Sequence, residues 1–186
     1  MTCRHDHCAS GHASHVHSRR SVIAALAATA MVSGGPALAA ADVSADDERY
    51  MRLAIDEARQ GDLPFGTLIV RDGEILARGH NLGRTTDDPT AHGEMVAIRL
   101  LLADHGSKAL KGSTLYTSGE PCPMCMGAIL WCHIGRLVFA ASIEQLSTRL
   151  GQIMISSAYI AARQTFVPIT ITGGVLADEA MQLFAK

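Results

Sequence analysis

Two strand-like runs, Phe65 to Arg71 and Glu74 to Gly79, meet at Asp72-Gly73. An Asp-Gly pair tolerates positive φ at both positions, so it closes a tight β-hairpin. Beyond the hairpin the pattern alternates. Helices are expected over Thr90 to about His105 (closed near Gly106), Cys122 to His133, Gln152 to Arg163 and Leu176 to Phe184. Short apolar strands, Leu115 to Ser118, Leu137 to Ala141 and Ile169 to Thr172, fall between them. A further helix precedes the hairpin, from Ser44 to Gln60. Ser44 suits its N-cap, Asp46, Asp47 and Glu48 its first turn and Gly61 its C-terminal cap, while Met51, Ile55 and Ala58 share one face. A hairpin followed by alternating helices and strands predicts an α/β fold, a three-layer α/β/α sandwich around one mostly parallel five-stranded sheet. At 186 residues the chain suits one such domain, and 48% apolar against 18% charged residues argues against disorder. No internal repeat or interdomain linker breaks this stretch.

Residues 1–41 read differently. Cys3, His5, His7, Cys8, His12, His15 and His17 precede Ser18-Arg19-Arg20-Ser21. An apolar run from Val22 to about Val32 follows, then Ser33-Gly34-Gly35-Pro36 and Ala37-Leu38-Ala39. Paired arginines, a short apolar core and an A-x-A site match a twin-arginine export signal. An alanine-rich helix of the folded domain would be broken at Gly34-Gly35-Pro36. The run is also shorter than the ~18 residues that span a bilayer, so no stable membrane insertion is expected. The His/Cys tract reads as a polar leader that processing discards, not as a metal site. A periplasmic or secreted mature protein, residues 42–186, is therefore expected. Loss of Arg4, Arg19, Arg20 and Asp6 moves the net charge from −2 to −4. That charge, with 4% aromatic residues, argues against a nucleic-acid partner.

Two short segments carry the chemistry: Thr90-Ala91-His92-Gly93-Glu94 and Glu120-Pro121-Cys122-Pro123-Met124-Cys125. Cys122 and Cys125 lie one helical turn apart, so both sulfurs can face one point. Prolines at this helix start pre-set its geometry, and the helix N-terminus favours thiolates, the form that binds zinc. His92 offers a third, nitrogen ligand. Two Cys and one His leave the fourth tetrahedral position to water, the arrangement of a catalytic site. Two thiolates cancel the charge of the ion, so a nearby base is needed, and Glu94 is the candidate. Spacing alone leaves open whether His92 and Glu94 reach one point. Cys122 and Cys125 also admit a dithiol oxidoreductase, a reading that leaves His92 and Glu94 without a role. Cys132 reads as a buried apolar thiol, His80 and His133 as structural polar residues, Trp131 as core or interface, and Arg78, Arg84 and Arg99 as solvated or structural charges.

His92-Gly93-Glu94 with Pro121-Cys122-Pro123-Met124-Cys125 resembles the H-x-E and P-C-x-x-C signature of the zinc nucleobase deaminases. The likeness is to the guanine deaminase and tRNA-adenosine deaminase branch. Pro64-Phe65-Gly66, Asn81, Asp88-Pro89-Thr90-Ala91-His92 and Leu115-Tyr116-Thr117-Ser118 through Trp131 are similar to bacterial guanine deaminases. The resemblance implies a cytidine deaminase-like domain over 42–186, with His92, Cys122 and Cys125 as ligands of Zn2+ and Glu94 as proton shuttle. It also implies that Asn81 hydrogen-bonds the base, that Phe65 lines or stacks on it, and that the protein is a homodimer. The implied reaction is hydrolytic deamination of a nucleobase or nucleoside, with a guanine-like purine favoured over cytosine or tRNA adenosine. The chain departs from the guanine deaminase pattern at Leu150-Gly151-Gln152-Ile153-Met154, where an acidic segment that shapes the pocket is expected.

Overall fold

The computed structural model describes residues 43–185. The expected export signal and the His/Cys tract lie outside the described residues. The hairpin is present: β1 (Gly66–Arg71) and β2 (Glu74–His80) pair antiparallel, with Arg71 opposite Glu74. Asp72 and Gly73 adopt φ of 52° and 81°, the left-handed pair that a two-residue turn between twisted strands requires. Three more strands, β3 (Thr114–Gly119), β4 (Arg136–Ala141) and β5 (Thr170–Thr172), complete a sheet of order β2-β1-β3-β4-β5.

The sheet is mixed. β1 is antiparallel to both β2 and β3, while β3–β4 and β4–β5 are parallel. Four strands thus share one direction and β1 alone runs against them, so the pairings divide evenly where a mostly parallel sheet is expected. A hairpin must place one strand against the other, and the reversed strand here is the inner one. The ends of β2 and β3 and the start of β1 consequently lie along one edge of the sheet.

Alternation along the strands builds two cores. Leu68 and Val70 of β1 and Val138 and Ala140 of β4 pack with α1 (Ala45–Ala58) and α7 (Ala177–Met181). Ile69, Leu115, Leu137 and Phe139 face the other way, onto α2 (Gly93–His105), α4 (Pro123–Trp131) and α6 (Ser157–Ala161). Strands covered on both faces read as short continuous apolar runs, which is why Leu137 to Ala141 shows no polar alternation. Two short helices, α3 (Ser107–Leu110) and α5 (Ile143–Ser147), escape sequence reading because four or five residues carry too little of a 3.6-residue period.

Other boundaries moved for local reasons. Residues 90–92 stay outside the helix, where the Asp88 carboxylate accepts from the Thr90 amide and hydroxyl and closes a turn. The helix from Cys122 ends at Trp131, and His133 takes φ of 56°. The segment expected to be helical from Gln152 shortens to Ser157–Ala161. Ser156 supplies its N-cap, accepting from the Tyr159 amide, and residues 151–156 stay irregular. The last helix divides into α7 and a 3-10 turn, Gln182–Phe184.

One buried charge ties α1 to the sheet. Asp47 completes a capping box with Ser44 and accepts from Arg136 Nη1 and Nη2 at 2.6 and 3.0 Å and from the Tyr116 hydroxyl at 3.0 Å. Burial acts to raise its pKa, but the bonds from Arg136, Ser44 and Tyr116 prevail and hold the carboxyl well below the usual range. Among the described residues no helix is long and apolar enough to cross a membrane.

Candidate active site

The site forms where two helices begin at the same sheet edge. α2 starts from His92 and α4 from Cys122, each an N-cap with extended backbone, ψ of 157° and 165°. Neither side chain caps its own helix. Both turn instead toward a common point. Pro123 at the first position of α4 fixes the chain direction there, and Cys125 follows one turn later. On the other side, Gly79 of β2 lets α2 approach closely. A Cβ at this glycine would lie 2.5 Å from both the Ala97 nitrogen and the Gly93 carbonyl oxygen.

The three candidate ligands converge. His92 Nδ1 lies 3.6 Å from Cys122 Sγ and 3.5 Å from Cys125 Sγ, and the two sulfurs are 3.6 Å apart. With Zn–S of about 2.3 Å and Zn–N of about 2.0–2.1 Å, a tetrahedral ion has S···S edges near ~3.8 Å and S···N edges near ~3.6 Å. The triangle therefore fits zinc in both chemistry and size. Cys125, the largest influence, and His92 act against burial to bring the Cys122 pKa down to about 4. Contact with Cys122 raises that of His92 against burial. Cys132 stands apart as a half-buried free thiol, its pKa raised by burial.

Glu94 sits within the first turn of α2, two residues past His92, and only 4% of it is exposed. Burial pushes its pKa up. It lines a cavity of about 360 Å³ together with His92 and Cys122, a size within the roughly 300–1,000 Å³ of small-molecule sites. Asn81 and Phe65 line the same cavity. Phe65 immediately precedes β1 and Asn81 immediately follows β2, and the Asn81 amide donates to the Phe65 carbonyl at 3.0 Å. Asn81 Oδ1 accepts from the Gly83 amide at 3.2 Å, and among the described residues its Nδ2 has no hydrogen-bond partner. The remaining wall is mostly apolar, with Leu63, Met124, Leu150 and Ile153.

Residue spacing missed Glu120, which is buried and also lines the cavity. Its partners are distant in sequence, so no local pattern could have marked it. His80 is held by Glu57, 2.8 Å from its Nδ1, and takes no part in the triangle. Trp131 is not core: 74% of it is exposed and its ring stacks on Phe166 with centroids 4.8 Å apart.

The sequence model of the cytidine and deoxycytidylate deaminase zinc-binding region matches residues 44–141, which contain every side chain of the triangle. The chain belongs to this deaminase family. Among its relatives is the tRNA-specific adenosine deaminase of Bacillus subtilis (strain 168), 43% identical over 99 residues, or 51% of this chain and 62% of the relative. The guanine deaminase of the same organism is 50% identical over 99 residues, 50% of this chain and 64% of its own length. The chain thus spans somewhat under two thirds of these relatives. A structure solved in studies of A-to-I editing by tRNA:A34 deaminases at the wobble position of transfer RNA superposes with a TM-score of 0.64. Its identity is 31%, over 73% of this chain and 98% of that one. The dithiol oxidoreductase reading gains no support from these matches.

Proposed function

We propose that the protein is an exported zinc-dependent hydrolase that deaminates a guanine-like purine base. The observation that carries this reading is the buried Glu94 carboxylate sharing one cavity with His92 and Cys122 of the His92–Cys122–Cys125 triangle. In this reading the three side chains hold zinc. The ion, when bound, supplies a Lewis acid that orients water and makes it a better nucleophile at neutral pH. Glu94 takes a proton from the attacking water and hands it to a ring nitrogen. The oxygen bonds to the carbon that carries the exocyclic amine. A second proton, taken by Glu94 from the newly bonded hydroxyl, reaches that amine. The C–N bond breaks, ammonia leaves, and a carbonyl remains. Asn81 Nδ2 donates to an acceptor on the base and Phe65 packs against its ring.

Two features support a free base over a nucleic acid. The lining residues include two carboxylates and no Lys or Arg, so the wall offers no cationic Lys or Arg side chain to hold a phosphate. The mature charge of −4 points the same way. A tRNA-adenosine substrate is the second reading, favoured by the 43% identity to the Bacillus subtilis enzyme. The Leu150–Ile153 wall, where an acidic segment is expected for guanine, is the part of the pocket that decides between them.

Export rests on Arg19-Arg20, the apolar run after them and Ala37-Leu38-Ala39. A folded, metal-loaded chain suits that route, because zinc shields the two thiolates from an oxidising compartment. A homodimer completes the proposal. Its support is the exposed Trp131–Phe166 stack, with Ile153, Met154 and Tyr159 also exposed.

The test is ammonia release by zinc-quantified mature protein from guanine, adenine, cytosine, their nucleosides, an aminotriazine and a tRNA anticodon stem-loop. Highest kcat/KM on guanine or another free purine is expected. Turnover of the stem-loop alone would replace the purine reading with the tRNA one. A zinc-loaded protein releasing ammonia from none would be a binding protein.

A further inference from the structure

Glu120 lies where β3 gives way to α4, and its amide donates to the Ala141 carbonyl at the end of β4. Both oxygens of its side chain are engaged. Oε2 accepts from the Ile143 amide at 3.0 Å and Oε1 from the Ser157 amide at 2.7 Å. These amides open α5 and α6, and all three residues are buried. The chain between them carries Leu150, Gly151, Gln152 and Ile153, the wall of the cavity. Leu146 is buried in the core and Leu150 packs against it, so the first part of the stretch is anchored, but beyond Leu150 it has little else to hold it. Its middle is irregular, and Ile153 and Met154 are exposed. Ser157 Oγ adds one long bond to the Pro121 carbonyl, at 3.5 Å.

We propose that Glu120 is a positioning residue: its carboxylate joins the two ends of segment 143–157 and so sets how closely the Leu150–Ile153 wall lies over the substrate. The assignment rests on the deaminase reading of the cavity and goes beyond it, because Glu120 needs no contact with the reacting atoms. A carboxylate bridging two otherwise unpaired helix-opening amides satisfies both at once. Without it, two buried donors lose their partner and the segment opens locally before the core does. The wall touches substrate and transition state alike, so its loosening weakens binding more than chemistry.

The experiment compares Glu120→Gln and Glu120→Ala with the wild type in zinc content, steady-state kinetics and peptide-resolved hydrogen exchange. Gln keeps the shape and one acceptor but turns an N–H toward one of the two amides. A KM raised about tenfold is expected for Gln, the loss of roughly one charge-assisted hydrogen bond, with kcat within about threefold. Ala should raise KM further. Exchange across 143–157 should quicken by about tenfold or more, while α1 and β3 exchange as in the wild type and zinc stays bound. If Ala does not fold, the Gln variant carries the test. Unchanged exchange across 143–157 would overturn the assignment. So would a fall in kcat at constant KM, or loss of zinc, since Glu120 would then act on the ligand loop. Should the wild type deaminate no purine, the substrate reading falls and the exchange result still decides the role of Glu120.

Discussion

Removing the charge at Asp47 should destabilise the domain without harming its chemistry. In Asp47→Asn the carboxylate that accepts two bonds from Arg136, one from Tyr116 and two from Ser44 becomes a neutral amide. Taking one partner from a buried ion pair costs about 3–5 kcal/mol. Arg136 keeps 25% of its side chain in contact with solvent and can be partly rehydrated, which places the loss near ~3 kcal/mol. For a domain of this size that is roughly 6–12 °C in Tm. The pH dependence has a definite sign. The folded pKa of Asp47 lies below its ordinary 3.8, so its contribution is complete above that value and is lost as pH falls toward the folded pKa. Thermal unfolding of zinc-saturated wild type and variant, followed by circular dichroism, should show a constant gap between pH 7 and pH ~5. The gap should narrow below pH ~4. Adding Arg136→Met, which removes the stranded guanidinium, should recover part of the loss. Activity per folded molecule at 25 °C should stay within about twofold, because Arg136 opens β4 at the sheet edge opposite the cavity. A gap under ~2 °C at pH 7, or one that widens on acidification, would refute the account.

Four further outcomes follow from the site and the surface. Glu94→Ala should keep its zinc and lose turnover by about 10²–10⁴-fold, and wild-type-like ammonia release would remove Glu94 from the chemistry. Gly79→Ala should push α2 outward and lower kcat/KM about a hundredfold, the effect of a misplacement near 1 Å. Wild-type kinetics there would contradict the close approach of β2 and α2. Mass spectrometry of the exported protein should find zinc and free Cys122 and Cys125. A Cys122–Cys125 disulfide without metal would sink the zinc reading. Trp131→Glu should shift sedimentation from dimer to monomer, and a wild type already monomeric at micromolar concentration would remove the dimer from the proposal.

The hairpin, the first helix with its cap and the strand over 137–141 were legible because each is specified locally, by turn chemistry, a capping residue or an uninterrupted apolar run. The direction of β1 relative to β3 was not, since a hairpin does not declare which of its strands lies inside the sheet. The metal triangle was legible as a composition of ligands, and the meeting of His92 and Glu94 at one cavity became visible only with the helix start placed at Gly93. Asn81 and Phe65 were marked by family likeness alone, and the structure brings both to the cavity. The segment beyond Leu150 misled because its spacing suits a helix while the helix begins only behind the Ser156 cap and residues 151–156 stay irregular. Glu120 and Asp47 satisfy partners tens of residues away, and no window of sequence contains such a pair.

The two-residue turn at Asp72-Gly73 has a reach beyond its own surroundings. β1 and β2 leave it paired, shift register once between Ile69 and Val70, and their far ends deliver Phe65 and Asn81 side by side. Lengthening that turn by a single residue would slide one strand past the other like the jaws of a caliper. The ring and the amide would then no longer bracket the same volume. Surface turns usually drift freely in length as proteins diverge. This one is a gauge for an aperture at the other end of the sheet, and insertions in it should be as poorly tolerated as changes within the cavity.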